Sequence, residues 1–162
     1  MENPGMKEHI RFLQEAVKMA EKGVKSGKGG PFGAVIVKEG KIISRGCNQV
    51  ISKDDPTCHA EVDAIRKACK KLKDFELTDC IIYSSCEPCP MCLGAIYWSH
   101  PKALYYAADK FRAARSGFDD EFIYKEVSLP SAKRTIKTVC LDIEEKNRPF
   151  DLWDKKTDKT EY

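Results

Sequence analysis

His59-Ala60-Glu61 and Pro88-Cys89-Pro90-Met91-Cys92 are the two stretches on which the reading of this chain turns. Each follows a strand-rich stretch and stands at a predicted helix start. Before the first, Ser52 to Thr57 is a polar loop ending in Asp55-Pro56. An acidic residue before proline suits a helix entry, so a helix is expected from about Thr57 to Leu72. In the second, Pro88 and Pro90 bracket a helix start. That helix carries Met91, Leu93, Ile96 and Trp98 and stops before Pro101.

Working outward, Ile10, Leu13, Val17, Ala20 and Val24 recur at helical spacing within Met6 to Val24. The glycines at 23, 27, 29 and 30 end that helix before Pro31. Ala34-Val35-Ile36-Val37 reads as a strand, Glu39-Gly40 as a tight turn, and Lys41 to Cys47 as the return strand of a hairpin. Cys80 to Tyr83 and Ala103 to Tyr106 are further strands, and Thr138 to Ile143 is a fifth. Strands alternating with helices argue for a sheet covered on both faces. No internal repeat and no long linker divides the chain, so residues 1–162 read as one domain.

The composition excludes several classes. Hydrophobic residues make up 42% and charged residues 33%, a globular balance. No apolar run is long enough to cross a membrane. Met1-Glu2-Asn3-Pro4-Gly5 lacks the layout of a signal peptide, so a cytoplasmic protein is expected. The net charge is only +3, from 28 basic and 25 acidic residues, which gives nucleic-acid binding no support. Of eight cysteines, Cys86, Cys89 and Cys92 crowd around two prolines, which in a reducing compartment points to metal or redox chemistry. Cys47, Cys58, Cys69, Cys80 and Cys140 are scattered, and most are expected to be small core residues.

His59, Cys89 and Cys92 offer one imidazole and two thiols on a single helical turn, a set suited to one tetrahedral Zn2+ ion. Three protein ligands leave a fourth position for water, the layout of a catalytic zinc site. Two thiolates and a neutral imidazole cancel the charge of zinc, and bound water there reaches a pKa of about 7. Glu61 is then the base that takes the water's proton. Two plainer readings stand beside this one. Cys86 could complete a structural site with Cys89, Cys92 and His59, or Cys89 and Cys92 could form a redox disulfide. Against both, His-x-Glu followed by Pro-Cys-x-x-Cys is the paired signature of zinc base deaminases, and both halves occur here in order.

Four longer stretches carry a resemblance: Gly30 to Val37, Asp55 to Glu61, Cys86 to Trp98 and Gly117 to Tyr124. With them the sequence resembles the cytidine-deaminase superfamily, and within it the guanine-deaminating branch. The Phe118-Asp119-Asp120 segment and the terminal Tyr162 narrow it to guanine. The resemblance implies a three-layer α/β/α sandwich around a five-stranded mixed sheet. It implies one zinc per subunit on His59, Cys89 and Cys92, with Glu61 as proton carrier. It further implies a homodimer that exchanges C-terminal segments from about residue 144. Asn48 and Asp120 would contact a purine base, Phe32 and Trp98 would line the pocket, and Tyr162 would close it. Cys58 stands where a small residue such as alanine is expected.

Chemistry also favours guanine. Its attacked edge presents N1–H and an amine, both donors, and an ionised carboxylate accepts two donors side by side. Asp119 and Asp120 are the available acids, although either could simply cap a short helix. Trp98 could equally be a core residue. The rivals are a tRNA adenosine deaminase, a deaminase of another aminated base or nucleoside such as guanosine or cytosine, and a zinc-stabilised binding module.

Overall fold

The computed structural model describes residues 5–161. It divides into two compact units, between Asp120 and Glu121. The first unit holds helix α1 (Met6–Lys25), strands β1 (Gly33–Lys38) and β2 (Lys41–Cys47), a short α2 (Val50–Lys53), α3 (Ala60–Leu72), β3 (Cys80–Cys86), α4 (Pro90–Trp98), β4 (Ala103–Ala108) and α5 (Lys110–Ala114). The sheet order is β2-β1-β3-β4. β1 runs antiparallel to both β2 and β3, whereas β3 and β4 are parallel and joined by the α4 crossover. The sheet is therefore mixed.

Period-two alternation splits the core. Ala34, Ile36 and Ile82 pack with Ala60, Ala64 and Ala68 of α3 and Ile96 of α4. Val35, Val37, Ile81 and Tyr83 face Phe12 of α1. Two glycines let the helices come this close. A Cβ at Gly33 would collide with the α1 backbone at Ala16 and Ala20, and one at Gly46 with the α3 backbone at Ala60 and Ala64. The β1–β2 turn is tight because Glu39 and Gly40 both adopt positive φ, 50° and 70°.

On the α1 face, His9 and Tyr83 share a 2.8 Å hydrogen bond, and the His9 ring stacks on Tyr105 with centroids 4.1 Å apart. Burial pushes the Tyr83 hydroxyl up to about 12, with Tyr105 and Glu8 adding to it. Of the scattered cysteines, Cys47, Cys58 and Cys80 are buried, Cys69 is half-buried and Cys140 is exposed.

Three local expectations shift. The helix expected from Thr57 starts at Ala60, because the Asp55 carboxylate accepts from the Thr57 backbone N–H (2.8 Å) and hydroxyl (2.7 Å) and turns the chain there. β3 runs on past Tyr83 to Cys86 with every residue buried. Thr138 to Ile143 is not a strand, so the described residues contain four strands, not five. Val139, Leu141 and Ile143 do alternate as a strand would, yet they stand 60%, 75% and 57% exposed. A strand exists only where a neighbour takes its backbone hydrogen bonds.

The second unit comprises α6 (Glu121–Ser128), two single 3-10 turns and α7 (Arg148–Asp154), with no buried residue in any of them. Among the described residues, no helix is long and apolar enough to cross a membrane.

Candidate active site

Both halves of the motif land on helix N-termini. His59 is the N-cap of α3 and Cys89 the N-cap of α4, each in extended conformation, with Pro90 opening α4. An N-cap side chain projects beside the first, unpaired N–H groups of its helix, where negative charge is favoured. The parallel β3–β4 crossover sets α4 beside α3 on one face of the sheet. The loop feeding α4 is tied down in turn: the Glu87 N–H donates to Ala108 O at 2.8 Å, and the Glu87 carboxylate accepts from the Lys110 N–H at 3.1 Å.

The ligand atoms of His59, Cys89 and Cys92 all lie within 4.8 Å of one another. His59 Nδ1 is 3.5 Å from each sulfur. A tetrahedron with Zn–S near 2.3 Å and Zn–N near 2.0–2.1 Å has an N-to-S edge of about 3.6 Å. The donor set therefore fits zinc in number, chemistry and spacing. Cys86 is outside the cluster: its thiol donates to Asp109 O at 3.5 Å. Cys58, 1% exposed, is also outside it. Cys89 and Cys92 are free thiols, like the other six cysteines, so the disulfide alternative is not what the structure holds. The Cys92 thiol and His59 beside Cys89 hold the Cys89 thiol well below the usual range, to about 4. Hydrogen bonding to Cys89 raises His59.

Glu61 lies in the first turn of α3 and is 4% exposed. Its Oε2 accepts from the Cys92 thiol at 3.3 Å and its Oε1 from the Ser84 hydroxyl at 2.8 Å. Burial raises its pKa above the ordinary carboxylate value, against the lowering pull of these hydrogen bonds. A carboxylate of raised proton affinity beside the ligand cluster is suited to moving protons.

The structure separates the two candidate acids. Asp120 is half-buried, and burial, followed by the charge of Cys89, raises its pKa. Asp119 is exposed. Asn48 is 4% exposed, and its Oδ1 accepts from the backbone N–H groups of Gly30 (3.1 Å) and Val50 (3.2 Å). Two such donors fix which end of the amide is oxygen. Phe32 packs edge-on against Phe118, centroids 5.0 Å apart and planes at 89°. Trp98 is not brought into this group: it ends α4, 64% exposed and roughly 13 Å along the helix from Cys89. Tyr162 lies outside the described residues. Ser84 lies one residue beyond the strand that the sequence predicts, Cys80 to Tyr83, and so escapes sequence reasoning. Carrying the two-residue alternation one step further would have put it on the α3 face.

Residues 6–108 match the family described as the cytidine and deoxycytidylate deaminase zinc-binding region. The chain belongs to this family. The deaminase is 56% identical over 154 residues to guanine deaminase of Bacillus subtilis (strain 168), an alignment that covers 95% of this chain and 99% of that one. The X-ray structure of guanine deaminase from Bacillus subtilis superimposes with a TM-score of 0.93, at 56% identity, over 95% of this chain and 98% of the other. The tRNA-specific adenosine deaminase of Aquifex aeolicus (strain VF5) is 43% identical over 100 residues, 61% of this deaminase and 66% of that protein.

Proposed function

We propose that this deaminase hydrolyses guanine to xanthine and ammonia. The observation that carries the chemistry is a buried Glu61 touching a three-ligand His–Cys–Cys cluster. The substrate rests on a likeness to a guanine deaminase that covers 95% of the chain, against 61% for the tRNA-specific adenosine deaminase of Aquifex aeolicus.

One zinc ion per subunit, held by His59, Cys89 and Cys92, supplies Lewis acidity that lowers the pKa of water to about 7. Glu61 takes a proton from the attacking water and delivers it to a ring nitrogen of guanine, N3. Addition at C2 gives a tetrahedral centre; as its new hydroxyl becomes the C2 carbonyl, Glu61 (or Asp120, for one transfer) takes that hydroxyl's proton and delivers it to the departing amine. Ammonia leaves and xanthine remains, so water and guanine account for every atom.

Asp120 accepts from N1–H and the exocyclic amine of guanine, a pairing that adenine, with an acceptor at N1, does not offer. Asn48, whose oxygen is held by Gly30 and Val50, keeps its NH2 for a purine acceptor. Phe32 forms a pocket wall. Tyr162 closes the pocket from a partner subunit. The protein acts as a homodimer whose segments from about residue 144 are exchanged. This reading is supported by exposed apolar side chains such as Ile136 (79%), Leu141 (75%), Phe150 (69%) and Leu152 (71%), which a monomer leaves in water. The same pairing would give Thr138 to Ile143 the neighbour that a fifth strand of the sandwich requires. Eight free thiols suit a reducing cytoplasm.

Ammonia release across guanine, guanosine, adenine and cytosine tests the assignment. Turnover of guanine with little of the other three is the expected result, and preference for another base or for the nucleoside would overturn it. The second reading, a tRNA adenosine deaminase, is favoured by the 43% match to the Aquifex aeolicus enzyme. It requires salt-sensitive binding of tRNA, measurable by filter retention at two salt concentrations.

A further inference from the structure

Among the buried serines, Ser84 stands apart. Ser44 donates to Ala64 O (2.8 Å), Ser99 donates to Ile96 O (3.0 Å), and Ser85 accepts from the Gly33 N–H (2.9 Å). All three hold backbone. Ser84, 1% exposed, instead gives its hydroxyl hydrogen to Glu61 Oε1 at 2.8 Å. Its own position is fixed from both sides, because β3 is central and Ser84 pairs with Ala34 on β1 and Tyr106 on β4. The carboxylate is thus spanned between an α3 turn and a strand that cannot shift.

The last torsion of a glutamate side chain is broad and only weakly held by sterics. Near the cluster, Oε2 has the Cys92 sulfur at 3.3 Å, a weak S–H contact that a zinc-bound thiolate would no longer make. The Ser84 bond is the stronger of the two constraints on where the second oxygen points. We propose that Ser84 is a positioning residue for the deamination, locking the Glu61 carboxylate in the orientation from which it exchanges protons with water and substrate. The inference rests on Glu61 being the proton carrier. It predicts a loss in kcat rather than in substrate binding, because Ser84 itself is walled off from solvent.

Ser84→Ala, Ser44→Ala and Glu61→Gln are compared with the unsubstituted zinc-loaded protein for kcat and KM on guanine, zinc per chain and thermal midpoint. For Ser84→Ala, kcat is expected to fall about 10–100-fold with KM within about threefold. Zinc should stay at one per chain. Ser44→Ala also loses a buried hydrogen bond but should keep kcat within about threefold, separating positioning from stability. A zinc-loaded crystal structure of Ser84→Ala should show the Glu61 carboxylate rotated away from β3. Should Ser84→Ala not fold, Ser84→Cys keeps the volume with a poorer donor and should show the same kcat loss.

The inference is overturned by an unchanged kcat, by a loss that Ser44→Ala matches, or by a carboxylate that stays in place. Failure of the underlying reading looks different. An unsubstituted protein that releases no ammonia from guanine, or a Glu61→Gln protein of normal turnover, removes the role Ser84 serves.

Discussion

At the scale of single residues, the motif residues do what their chemistry demands and the surrounding fold decides how well. Glu61 is two positions from a ligand and almost wholly out of water, so its value lies in exchanging one proton. Glu61→Gln keeps the shape and hydrogen-bonding reach but cannot carry that proton. Turnover is expected to fall about 10²–10⁴-fold while zinc, measured by elemental analysis, stays at one per chain. Tyr83 gives a separate, pH-dependent outcome on the other side of the sheet. Its hydroxyl is raised to about 12, against about 10 in an unfolded chain. Below about pH 10 the neutral phenol is present in both states and the stabilisation is intact. Between about 10 and 12 the unfolded chain gives up the proton first, and stability falls by up to roughly 1.4 kcal/mol per pH unit. Urea midpoints across that window should drop for the unsubstituted protein. For Tyr83→Phe the stability drawn from these curves should start lower by about 1–3 kcal/mol, since His9 loses its buried partner, and should lose this part of the pH dependence.

At the scale of elements, the helices on the two faces depend on how closely they can approach the sheet. Gly46 lets α3 sit against β2, and Gly33 lets α1 sit against β1 on the opposite face. Gly46→Ala should lift the helix that carries His59 and Glu61, costing about 1–3 kcal/mol or more and reducing zinc per chain. Gly33→Ala should lower the thermal midpoint comparably and leave zinc content intact, because α1 carries no ligand. Calorimetry and metal analysis on the pair make the comparison. Much of this architecture was legible beforehand. The spacing of Ile10, Leu13 and Val17, the Glu39-Gly40 turn and the proline-marked entry to α4 are local signals with local causes. The zinc ligands and Glu61 were legible for a similar reason: their spacing is itself the chemistry. Thr138 to Ile143 forms no strand within the described residues because an alternating pattern reports a tendency, whereas a strand is a relation between two segments. The choice between Asp119 and Asp120 needed burial, and Ser84 needed the true end of β3, which tertiary packing sets.

At the scale of the whole molecule, the described residues of the C-terminal unit form no core of their own. Among the described residues, none beyond Ile96 is a buried hydrophobic side chain, while Phe150, Leu152 and Trp153 are exposed in α7. Burying such side chains is worth about 1.5–3 kcal/mol each, so a second subunit has much to gain by covering them. If tails are exchanged, a chain ending at residue 143 and a full-length Glu61→Gln chain should each be inactive alone. Co-expressed, they should recover guanine turnover, because the intact site of the first receives the tail of the second. Mixtures as silent as their components would show that each tail serves its own subunit.

The placement of His59 and Cys89 at the first residues of two different helices has an outcome for the life of the protein in a cell. A metal ion bridging those starts is a rivet between α3 and α4, so translation alone does not finish the molecule. Chains made under zinc starvation would present two frayed helix entries to proteases, and steady-state abundance would track metal supply as well as gene expression. Zinc limitation would then curb purine nitrogen release by thinning the enzyme pool.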